Sequence, residues 1–486
     1  MRQCLTSDLG GYYTSTAPSD KDQFGAKGDF VTSPEISQVF GELIGVWVVA
    51  EWIAQGRKSE GVYLMEMGPG RGTLMDDMLR TIRNFPPLAK AIEAVYMVEA
   101  SPRLRETQHK LLCADNPLKE NDIGHESTSK HSKDLKIIWT EDIRFVPREA
   151  DKTPFIIAHE FFDALPIHVF QSVPPSPQQP DGTIQTPTGP IQAGPQRRIP
   201  KESQWRELVV SPKPPHRLKQ GEPEFELTMA KAATPHSMYL PETSPRYKAL
   251  KATDGATIEI SPESQAYARD FAIRLGGSNT NETPPPPPPP PSTKQPSTPT
   301  SPGQRTVPSA PPEQPLLKPS PSGAALIIDY GPATHIPANS LRGIKQHALI
   351  SPFLSAGTTD ISADVDFLAL AETAITSSPG VEVHGPVDQA RFLAAMGIEE
   401  RAAQLVKRAV DLERGGGAGG GGGDGREKGE LTEVAKRIES GWRRLVDRGP
   451  QGMGRLYQVM AVVPHKPPGQ GEARRRPVGF GGDVGV

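Results

Sequence analysis

Glycines and an acidic residue are concentrated in one segment, VYLMEMGPGRGTLMDDMLR at residues 62–80. Glu66 stands two residues before Gly68, and Gly70 and Gly72 follow at alternate positions. An apolar run before these residues and helically spaced apolar residues after them predict a strand, a turn and a helix. Glycine permits unusual dihedrals and close approach to a ligand, and the helix start offers free N–H groups. The pattern predicts a nucleotide-like ligand, with a tight turn that binds nothing as the alternative.

Two further acidic residues follow predicted strands. Residues 94–98 form a β-rich run that ends before Glu99, and residues 135–139 form a run that leads to Asp142. A carboxylate after the second strand can accept hydrogen bonds from both hydroxyls of a ribose, and one after the third strand suits an adenine amino group. Glu99 also fits a dinucleotide enzyme or a solvated helix cap, and Asp142 also fits a surface loop.

A second acidic segment, HEFFDALPIHVF, follows a short apolar strand at residues 155–158. If the chain turns helically here, Glu160 and Asp163 share a face, because residues three apart are neighbours on a helix. Folds of this kind bind ligands at the carboxyl edge of the sheet, so the two carboxylates are candidates to hold a cation. The alternative is a helix start whose acids favour the positive dipole end. His159 is expected to be a hydrogen-bonded packing residue.

The elements that must position these side chains are a helix before the glycine segment and several later strands. Ser33 is the expected N-cap of that helix, with Pro34 at its first position. The loop at residues 28–33, which includes Thr32, is expected to line the ligand pocket. The apolar face of the helix is formed by Ile36, Val39, Phe40, Leu43, Ile44, Trp47 and Val48.

Fewer secondary-structure elements are predicted in the second half of the chain. Residues 324–330 form an apolar strand that contains Asp329, residues 389–405 form an amphipathic helix, and residues 456–463 form a closing strand. The segment TDISADVDF carries three acids, but their spacing differs from that of an EF-hand. A solvated loop or a helix cap is therefore expected for Asp360, Asp364 and Asp366, and no metal site is predicted.

Proline and glycine are unevenly distributed along the chain. Of the 53 prolines and 47 glycines, many fall in four segments that cannot bury enough apolar surface to offset the entropy of ordering. We interpret these segments as a Pro/Gln/Gly-rich insertion at 174–200, a Pro-rich disordered insertion at 278–322, a Gly-rich linker at 415–429 and a flexible tail at 466–486. The remainder of residues 1–486 predicts one α/β domain with helical additions.

Composition excludes several classes of protein. The net charge of −3 gives no electrostatic footprint for nucleic acid. Two isolated cysteines, Cys4 and Cys113, argue against a disulfide scaffold and against a cysteine-based zinc site. No apolar run reaches the length of about 18 residues that predicts a membrane span.

Several motifs in order resemble one family. The G-x-G-x-G turn with its preceding acid resembles motif I of S-adenosylmethionine-dependent methyltransferases. The whole set resembles the MidA-like family, the arginine methyltransferases that assist assembly of mitochondrial complex I. The motifs that carry this resemblance are GYYTS, GDFVTSPEISQVFGELIGVW, MEMGPGRGTLMDDMLR, YMVEASPRLRETQ, HEFFDALPIHVF, GAALIIDYG, HALISPFLSAGTTDISADVDF, GPVDQARFLAAMGIEER and MGRLYQVMAV.

The resemblance implies a class I methyltransferase fold, a Rossmann-like doubly wound sheet, with S-adenosylmethionine as cofactor. It implies that Glu66 and the glycine turn hold the methionine end of the cofactor and that Glu99 holds the ribose. Glu160 and Asp163 match the family's acidic motif, although family members commonly have Asn where this chain has His159. The full expected cofactor set is Glu66, Gly68, Pro69, Gly70, Gly72, Thr73, Glu99, Asp142, Thr32 and Ser33.

The expected reaction requires residues that handle a guanidinium. Arginine is protonated in water and has no free lone pair, so the enzyme must orient the group, localise its charge and accept a proton. Carboxylates suit this because they match the donor fork of arginine bidentately. We expect Glu160 to hold the guanidinium and Asp163 to be a second contact or a brace for a helix cap.

The implied product is a symmetrically dimethylated arginine on a complex I subunit in the mitochondrial matrix. No transit peptide is visible, which favours a shortened N-terminus. Two alternatives stay open. One is an assembly chaperone that binds the cofactor with little or no catalysis. The other is a nicotinamide-dependent oxidoreductase, which the glycine spacing disfavours.

Overall fold

A computed structural model describes residues 1–7, 10–15, 25, 28–175, 183–186, 189–192, 202–280, 314–415, 433–467 and 475–482. The predicted insertions at 174–200, 278–322 and 415–429 therefore lie largely outside the described residues, as does much of the predicted tail at 466–486. Part of the first insertion is described and forms a two-stranded hairpin.

The strands of the described residues are numbered in chain order. They are β1 (Val62–Met67), β2 (Ile92–Val98), β3 (Lys119–Asn121), β4 (Gly124–Thr128), β5 (Lys136–Thr140), β6 (Thr153–His159), β7 (His168–Val173), β8 (Thr183–Thr186), β9 (Gly189–Gln192), β10 (Gln204–Pro212), β11 (Phe225–Met229), β12 (Thr257–Ile260), β13 (Ala324–Tyr330), β14 (Arg342–Lys345), β15 (Ala348–Ile350), β16 (Asp360–Ser362), β17 (Val381–Asp388) and β18 (Tyr457–Pro464).

The helices are numbered in the same way. They are α1 (Arg2–Thr6), α2 (Ser33–Ile36), α3 (Gln38–Ala54), α4 (Thr73–Ile82), α5 (Pro86–Ala91), α6 (Pro102–Cys113), α7 (Pro235–Tyr239), α8 (Pro245–Leu250), α9 (Pro262–Gly276), α10 (Phe367–Ser377), α11 (Gln389–Ala395), α12 (Ile398–Gly415), α13 (Glu433–Val446) and α14 (Met453–Leu456). Short 3₁₀ helices occur at Ile143–Phe145, Pro215–Arg217 and Leu240–Glu242. In the described part of the chain, no helix is both long and apolar enough to cross a lipid bilayer.

A nine-stranded sheet organises the molecule, in the order β17-β18-β13-β6-β1-β2-β5-β4-β3. The five central strands from β13 to β5 are parallel, and β18 is antiparallel to both of its neighbours. The chain runs from β1 outward through β2 to β5, then returns to place β6 and β13 on the other side of β1. This reversal creates a crevice at the carboxyl ends of β1 and β6, where doubly wound sheets bind ligands. The sequence prediction of a doubly wound α/β fold is confirmed.

The sheet is buried on both faces. Successive side chains of β1 point to opposite faces, so Leu64 packs in one core cluster with Phe40 and Trp47, while Met65 packs in the other with Phe271. Helices α3, α4 and α6 cover the first face, and α9 and α10 cover the second. Strands that are covered on both faces are continuously apolar. For this reason the predicted strands could be recognised in the sequence as apolar runs.

Two predicted helices are each divided in the structure. The predicted N-cap Ser33 is instead the first residue of α2, and the N-cap is Thr32. The chain is extended again at Ser37, whose hydroxyl accepts a hydrogen bond from the Val39 N–H and starts α3. Serine competes with helix hydrogen bonding through such local contacts. The predicted helix at 389–405 is interrupted at Gly397, whose φ of 78° ends α11 before α12 begins.

Part of the predicted flexible tail packs against the core. Within residues 475–482, the carbonyl of Val478 accepts a hydrogen bond of 3.2 Å from the Trp47 indole N–H. Phe480 lies against Phe392, with ring centroids 5.7 Å apart. Arg475 of the same segment also pairs with the buried Glu51, so these residues are not the flexible tail that composition predicted.

A four-stranded antiparallel sheet, in the order β11-β10-β7-β12, lies beside the main sheet. It has its own small apolar core, to which Phe170, Trp205 and Tyr247 contribute. A three-stranded sheet, β15-β14-β16, carries the segment that leads into α10. The three-stranded sheet borders the crevice through Ile344, Asp360 and Ser362.

Candidate functional site

A cavity of about 680 Å³ lies in the crevice and is lined by residues from the ends of β1, β2 and β6. Ten of the twelve sequence-predicted site residues line it. These are Thr32, Glu66, Gly68, Pro69, Gly70, Thr73, Glu99, Asp142, Glu160 and Asp163. Gly72 and Ser33 are set back from its surface. The acidic residues that the sequence placed at the ends of four strands, β1, β2, β5 and β6, therefore meet in one cavity.

The glycine turn brings two of these segments into contact. Gly68, Gly70 and Gly72 have φ values of 57°, 53° and 84°, in the region that favours glycine. A Cβ on Gly68 would lie 3.0 Å from Cδ2 of Phe161, in the turn after β6. The turn after β1 is thus packed directly on the acidic turn, and a side chain at Gly68 would separate them. Gly72 is the N-cap of α4 and has no side chain to cap the helix, so it leaves the N–H groups of the first turn for other partners.

Glu66 is the penultimate residue of β1, a strand that is buried along its whole length. Its side chain is buried, and its Oε2 has no hydrogen-bond partner in the part of the chain that the structure describes. Burial, together with the neighbouring Glu99 carboxylate, raises the pKa of Glu66 well above its usual range. A buried carboxyl oxygen without a partner is costly. A cationic donor in the cavity would remove this cost, as the ammonium of an amino-acid ligand does.

Glu99 is held by a network that the sequence did not predict. It accepts hydrogen bonds from the Ser101 N–H at 2.8 Å and from Nε2 of Gln108 at 3.0 Å. Gln108 also donates to the carbonyl of Gly70 and accepts from the indole N–H of Trp139. Burial raises the pKa of Glu99 to about 7, although these hydrogen bonds lower it. Gln108 thereby fixes both the glycine turn and the predicted ribose carboxylate.

The remaining predicted cofactor residues occupy less specific positions. Asp142 caps the 3₁₀ helix at Ile143–Phe145 and forms an ion pair with Arg144 at 2.8 Å, while it also lines the cavity. Thr32 lines the cavity from the loop before α2. The backbone N–H of Ser33 hydrogen-bonds to Glu160, so this residue supports the acidic turn and does not face the cavity.

The acidic turn after β6 is not the helix considered from the sequence. Asp329, which is fully buried in β13, accepts hydrogen bonds from the N–H groups of Phe161 and Phe162 at 3.0 and 2.8 Å. Glu160 has a φ of 49°, unusual for a residue other than glycine. Strained dihedrals of this kind persist where the surroundings impose them. The turn directs both Glu160 and Asp163 to the cavity. The sequence predicted that these two side chains lie together, but it assigned their proximity to a helix, which is not present here.

A tyrosine from a distant strand holds the Glu160 carboxylate, and a second tyrosine contacts the first. The hydroxyl of Tyr457 donates to Oε1 of Glu160 at 2.9 Å and also hydrogen-bonds to the hydroxyl of Tyr330. Burial and the Asp163 carboxylate raise the pKa of Glu160 to about 8, whereas the Tyr457 hydrogen bond lowers it. His159 is buried between Phe40 and Tyr457, and burial lowers its pKa to about 3, so it is neutral. His159 packs as the sequence predicted, but the predicted hydrogen bond is not observed, because its Nε2 has no hydrogen-bond partner among the described residues.

Asp163 lies in a cluster of buried acids. Burial raises its pKa, although the charge of Arg342 lowers it. Burial and the Asp163 carboxylate likewise raise the pKa of Asp329 well above its usual range. Buried like charges disfavour ionisation of one another. The cluster around Glu160, Asp163 and Asp329 is therefore prepared to accept a cation.

The three acids of TDISADVDF have different environments. Asp366 caps α10, accepting a hydrogen bond from the Ala369 N–H, as expected for a helix cap. Asp364 pairs with Arg342 at 2.6 Å. The expectation of a solvated loop is wrong for Asp360, which is 6% exposed, lines the cavity and accepts a hydrogen bond from the hydroxyl of Tyr13. Burial, and then the Asp163 carboxylate, raise the pKa of Asp360 to about 7.

Comparison with known proteins agrees with this geometry. Residues 43–387 match a family model described as "Putative S-adenosyl-L-methionine-dependent methyltransferase". The chain is 29% identical over 471 residues to the mitochondrial protein arginine methyltransferase NDUFAF7 of Rattus norvegicus, covering 96% of this chain and 80% of that protein. It is 30% identical over 409 residues to the protein of the same name from Danio rerio, covering 84% and 74%.

A crystal structure from Burkholderia thailandensis, in which S-adenosyl-homocysteine is bound, superposes with a TM-score of 0.57. The alignment covers 95% of this chain and 86% of that one at 19% identity, which establishes the shared fold. The family model spans most of the chain, including the glycine turn, both acidic segments and the last parallel strand. The chain therefore belongs to this family of S-adenosyl-L-methionine-dependent methyltransferases.

Proposed function

We propose that this protein is a mitochondrial protein arginine methyltransferase. The observation that carries the proposal is the pair of carboxylates, the half-buried Glu160 and the buried Asp163, in the same cavity as the glycine turn of the cofactor site. The relatives named as mitochondrial protein arginine methyltransferases support both the substrate class and the compartment.

The cofactor set proposed from the sequence fits the chemistry of S-adenosylmethionine. Glu66 offers an unpaired carboxyl oxygen to the methionine ammonium, and Glu99 offers a held carboxylate to the ribose. The turn from Gly68 to Thr73, through Pro69, Gly70 and Gly72, leaves room for close approach of the methionine end. Thr32 and Asp142 complete the lining, and Ser33 supports it from behind. When bound, the cofactor supplies an electrophilic methyl group on its sulfonium.

Glu160 is the proposed partner of the substrate guanidinium. Tyr457 fixes the carboxylate through Oε1, so the side chain has a defined orientation before substrate arrives. A carboxylate pairs with the donor fork of arginine and localises its positive charge away from the attacking nitrogen. Preorganised positioning of this kind supplies several kcal/mol of a barrier, up to about 7–11 kcal/mol in ideal cases.

The same residues provide a destination for the proton that the guanidinium loses. Burial raises the pKa of Glu160 to about 8, which makes its carboxylate a stronger proton acceptor than an exposed glutamate. Asp163 is the proposed second contact of the guanidinium. Its charge raises the pKa of Glu160 further, so the two acids act as a pair.

The finer assignment follows the resemblance found in the sequence. We propose that the substrate is a subunit of complex I, that the enzyme acts in the mitochondrial matrix and that the product is symmetric dimethylarginine. The acidic wall formed by Glu160, Asp163 and Asp360 supports a cationic protein segment as substrate. It does not distinguish one arginine-containing protein from another.

Glu160→Gln tests the proposal. The variant keeps the shape of the side chain and loses its charge. We therefore expect turnover to fall at least about 100-fold, which is the lower end of the range for loss of a positioned acid or base. Binding of S-adenosylmethionine should be retained. The assay transfers tritiated methyl groups from S-adenosylmethionine to a mitochondrial protein extract, followed by analysis of hydrolysates for methylated arginines.

Glu263→Gln is the matched control, because Glu263 also lines the cavity but pairs with Arg2. It should retain turnover. Equal loss of turnover and cofactor binding in Glu160→Gln would refute the assignment of Glu160. Cofactor binding by the wild-type protein without any methylarginine product would favour the assembly-chaperone alternative.

A further inference from the structure

Two histidines and a glutamate converge on the four-stranded sheet, outside the cavity. His168 is the first residue of β7, Glu207 lies in β10, and His236 lies in α7. Among the described residues, these three form a group whose ligand atoms all lie within 4.8 Å of one another. None of them lines the cavity of the methyltransferase site.

The sheet places two of these side chains on one face. Glu207 pairs with Phe170 across the antiparallel strands, so their side chains share a face. His168 stands two residues before Phe170 and therefore points to the same face. Its Nδ1 lies 2.7 Å from Oε1 of Glu207. Strand register, which is fixed by the apolar core, thus brings the imidazole and the carboxylate together.

Helix α7 supplies the second imidazole. Nδ1 of His236 lies 3.7 Å from the same Oε1 of Glu207, and the rings of His168 and His236 have centroids 4.2 Å apart. The start of α7 is fixed by reciprocal hydrogen bonds between Thr234 and Ser237. The hydroxyl of Thr234 also donates to Oε2 of Glu207. The carboxylate is therefore oriented through its second oxygen, as is common for carboxylates that bind metals.

We propose that His168, Glu207 and His236 form a binding site for Zn²⁺ or a similar divalent transition metal. Two imidazoles and one carboxylate are a recurrent zinc ligand set, with metal–ligand distances of about 2.0–2.2 Å. A tetrahedral site of that size separates its ligand atoms by roughly 3.3 Å. This separation lies between the distances of 2.7 Å and 3.7 Å from Oε1 of Glu207 to Nδ1 of His168 and to Nδ1 of His236. The exposed position of His236 leaves a fourth coordination position for water. Bound metal fastens α7 to strands β7 and β10.

A second group of the same composition has a different geometry and serves as a control. His384 and His465 contact Glu382 at 2.8 and 2.9 Å, but each uses a different carboxylate oxygen. The two imidazoles are thus held on separate oxygens of one bridging carboxylate. This arrangement satisfies hydrogen bonds between β17 and the end of β18 and does not converge on one point.

The test is titration of the metal-free, full-length protein with Zn²⁺ against a competing fluorescent chelator. We expect saturable binding of one Zn²⁺ per chain. His236→Ala should weaken this binding at least about tenfold, and Thr234→Val should weaken it roughly 10- to 100-fold through loss of the supporting hydrogen bond. His465→Ala should leave it unchanged. A tetrahedral visible absorption spectrum after Co²⁺ substitution, absent in His236→Ala, would report the geometry independently.

Variants at these positions should still bind S-adenosylmethionine, because none of the three residues touches the cavity. Retained cofactor binding and circular dichroism would show that a loss of metal is not a loss of fold. The proposal is overturned if the wild-type protein binds no stoichiometric Zn²⁺. It is also overturned if His236→Ala and His465→Ala change the affinity equally, since the binding would then be adventitious.

Discussion

Glu66→Gln should weaken binding of S-adenosylmethionine through the loss of one charge. The wild-type Oε2 is buried without a partner among the described residues and is proposed to accept a hydrogen bond from the methionine ammonium. A hydrogen bond to a charged group contributes about 1.5–3 kcal/mol of free energy, and a typical hydrogen bond contributes about 0.5–1.5 kcal/mol. The glutamine amide oxygen still accepts, so the expected loss is about 1–1.5 kcal/mol, or roughly a five- to thirteenfold increase in Kd.

Ligands that lack parts of the cofactor make this prediction specific. S-adenosylhomocysteine retains the ammonium and should lose the same factor as S-adenosylmethionine. Methylthioadenosine retains adenine and ribose but has no ammonium, so its affinity should not change in Glu66→Gln. Glu99→Gln, in contrast, should weaken all three ligands, because all three carry the ribose. Calorimetric titration of each ligand with each variant measures these factors.

The pH dependence of stability gives a second measurement on the same variant. Since burial raises the pKa of Glu66 well above its usual range, its contribution to stability is complete below the unfolded value of about 4.5. That contribution is lost as pH rises through the folded pKa. The Tm of ligand-free Glu66→Gln should therefore improve relative to wild type between pH 5 and pH 8.

Glu141→Gln is the matched control for Glu66→Gln, because Glu141 lines the same cavity but is exposed. It should change none of the three affinities by more than about twofold, since interactions between exposed charges are weak. Unchanged affinity for S-adenosylmethionine in Glu66→Gln would refute the proposed contact. An equal loss for methylthioadenosine would show that Glu66 supports the fold of the pocket and does not bind the ammonium.

Further predictions concern the acidic turn and its supports. Because burial raises the pKa of Glu160 to about 8 and its carboxylate must be ionised to pair with a guanidinium, kcat/KM should rise with pH through about 8, and a flat profile between pH 6 and 9 would contradict this. Tyr457→Phe removes a hydrogen bond that favours the ionised form, so the rise should move upward by roughly one pH unit, and a downward shift would exclude that role. Gln108→Leu leaves the buried Trp139 N–H and one Glu99 oxygen without partners, so the free energy of unfolding, measured by urea titration, should fall by about 2–4 kcal/mol, and a change below about 1 kcal/mol would show that the network is unimportant.

Secondary structure around the site was largely predictable because its signals are local. Buried parallel strands are continuous apolar runs, and the turn after β1 requires glycine at three positions with positive φ. The predicted strand at 324–330 has the bounds of β13 as observed. Helix boundaries were less predictable. Ser37 and Gly397 interrupt apolar patterns that continue across them, because a single cap changes the backbone without changing the periodicity.

The acidic turn shows the limit of local spacing. Positions three apart were expected to share a helical face, but hydrogen bonds to Asp329 form a different turn that also directs Glu160 and Asp163 to the cavity. The partner of that turn lies in a strand more than 160 residues later in the chain. No pattern within HEFFDALPIHVF specifies it.

The sequence by itself determined the doubly wound sheet, the glycine turn and the acidic residues at the ends of four strands, since each depends on residues that are close together in the chain. The tertiary structure alone decided which side chains hold those acids. Tyr457 is separated from Glu160 by 297 residues, and Gln108 joins Glu99 to Trp139 through its position on α6. The convergence of His168, Glu207 and His236 likewise depends on strand register and on the docking of α7. Contacts of this kind are set by how the elements pack, and packing is a property of the whole chain.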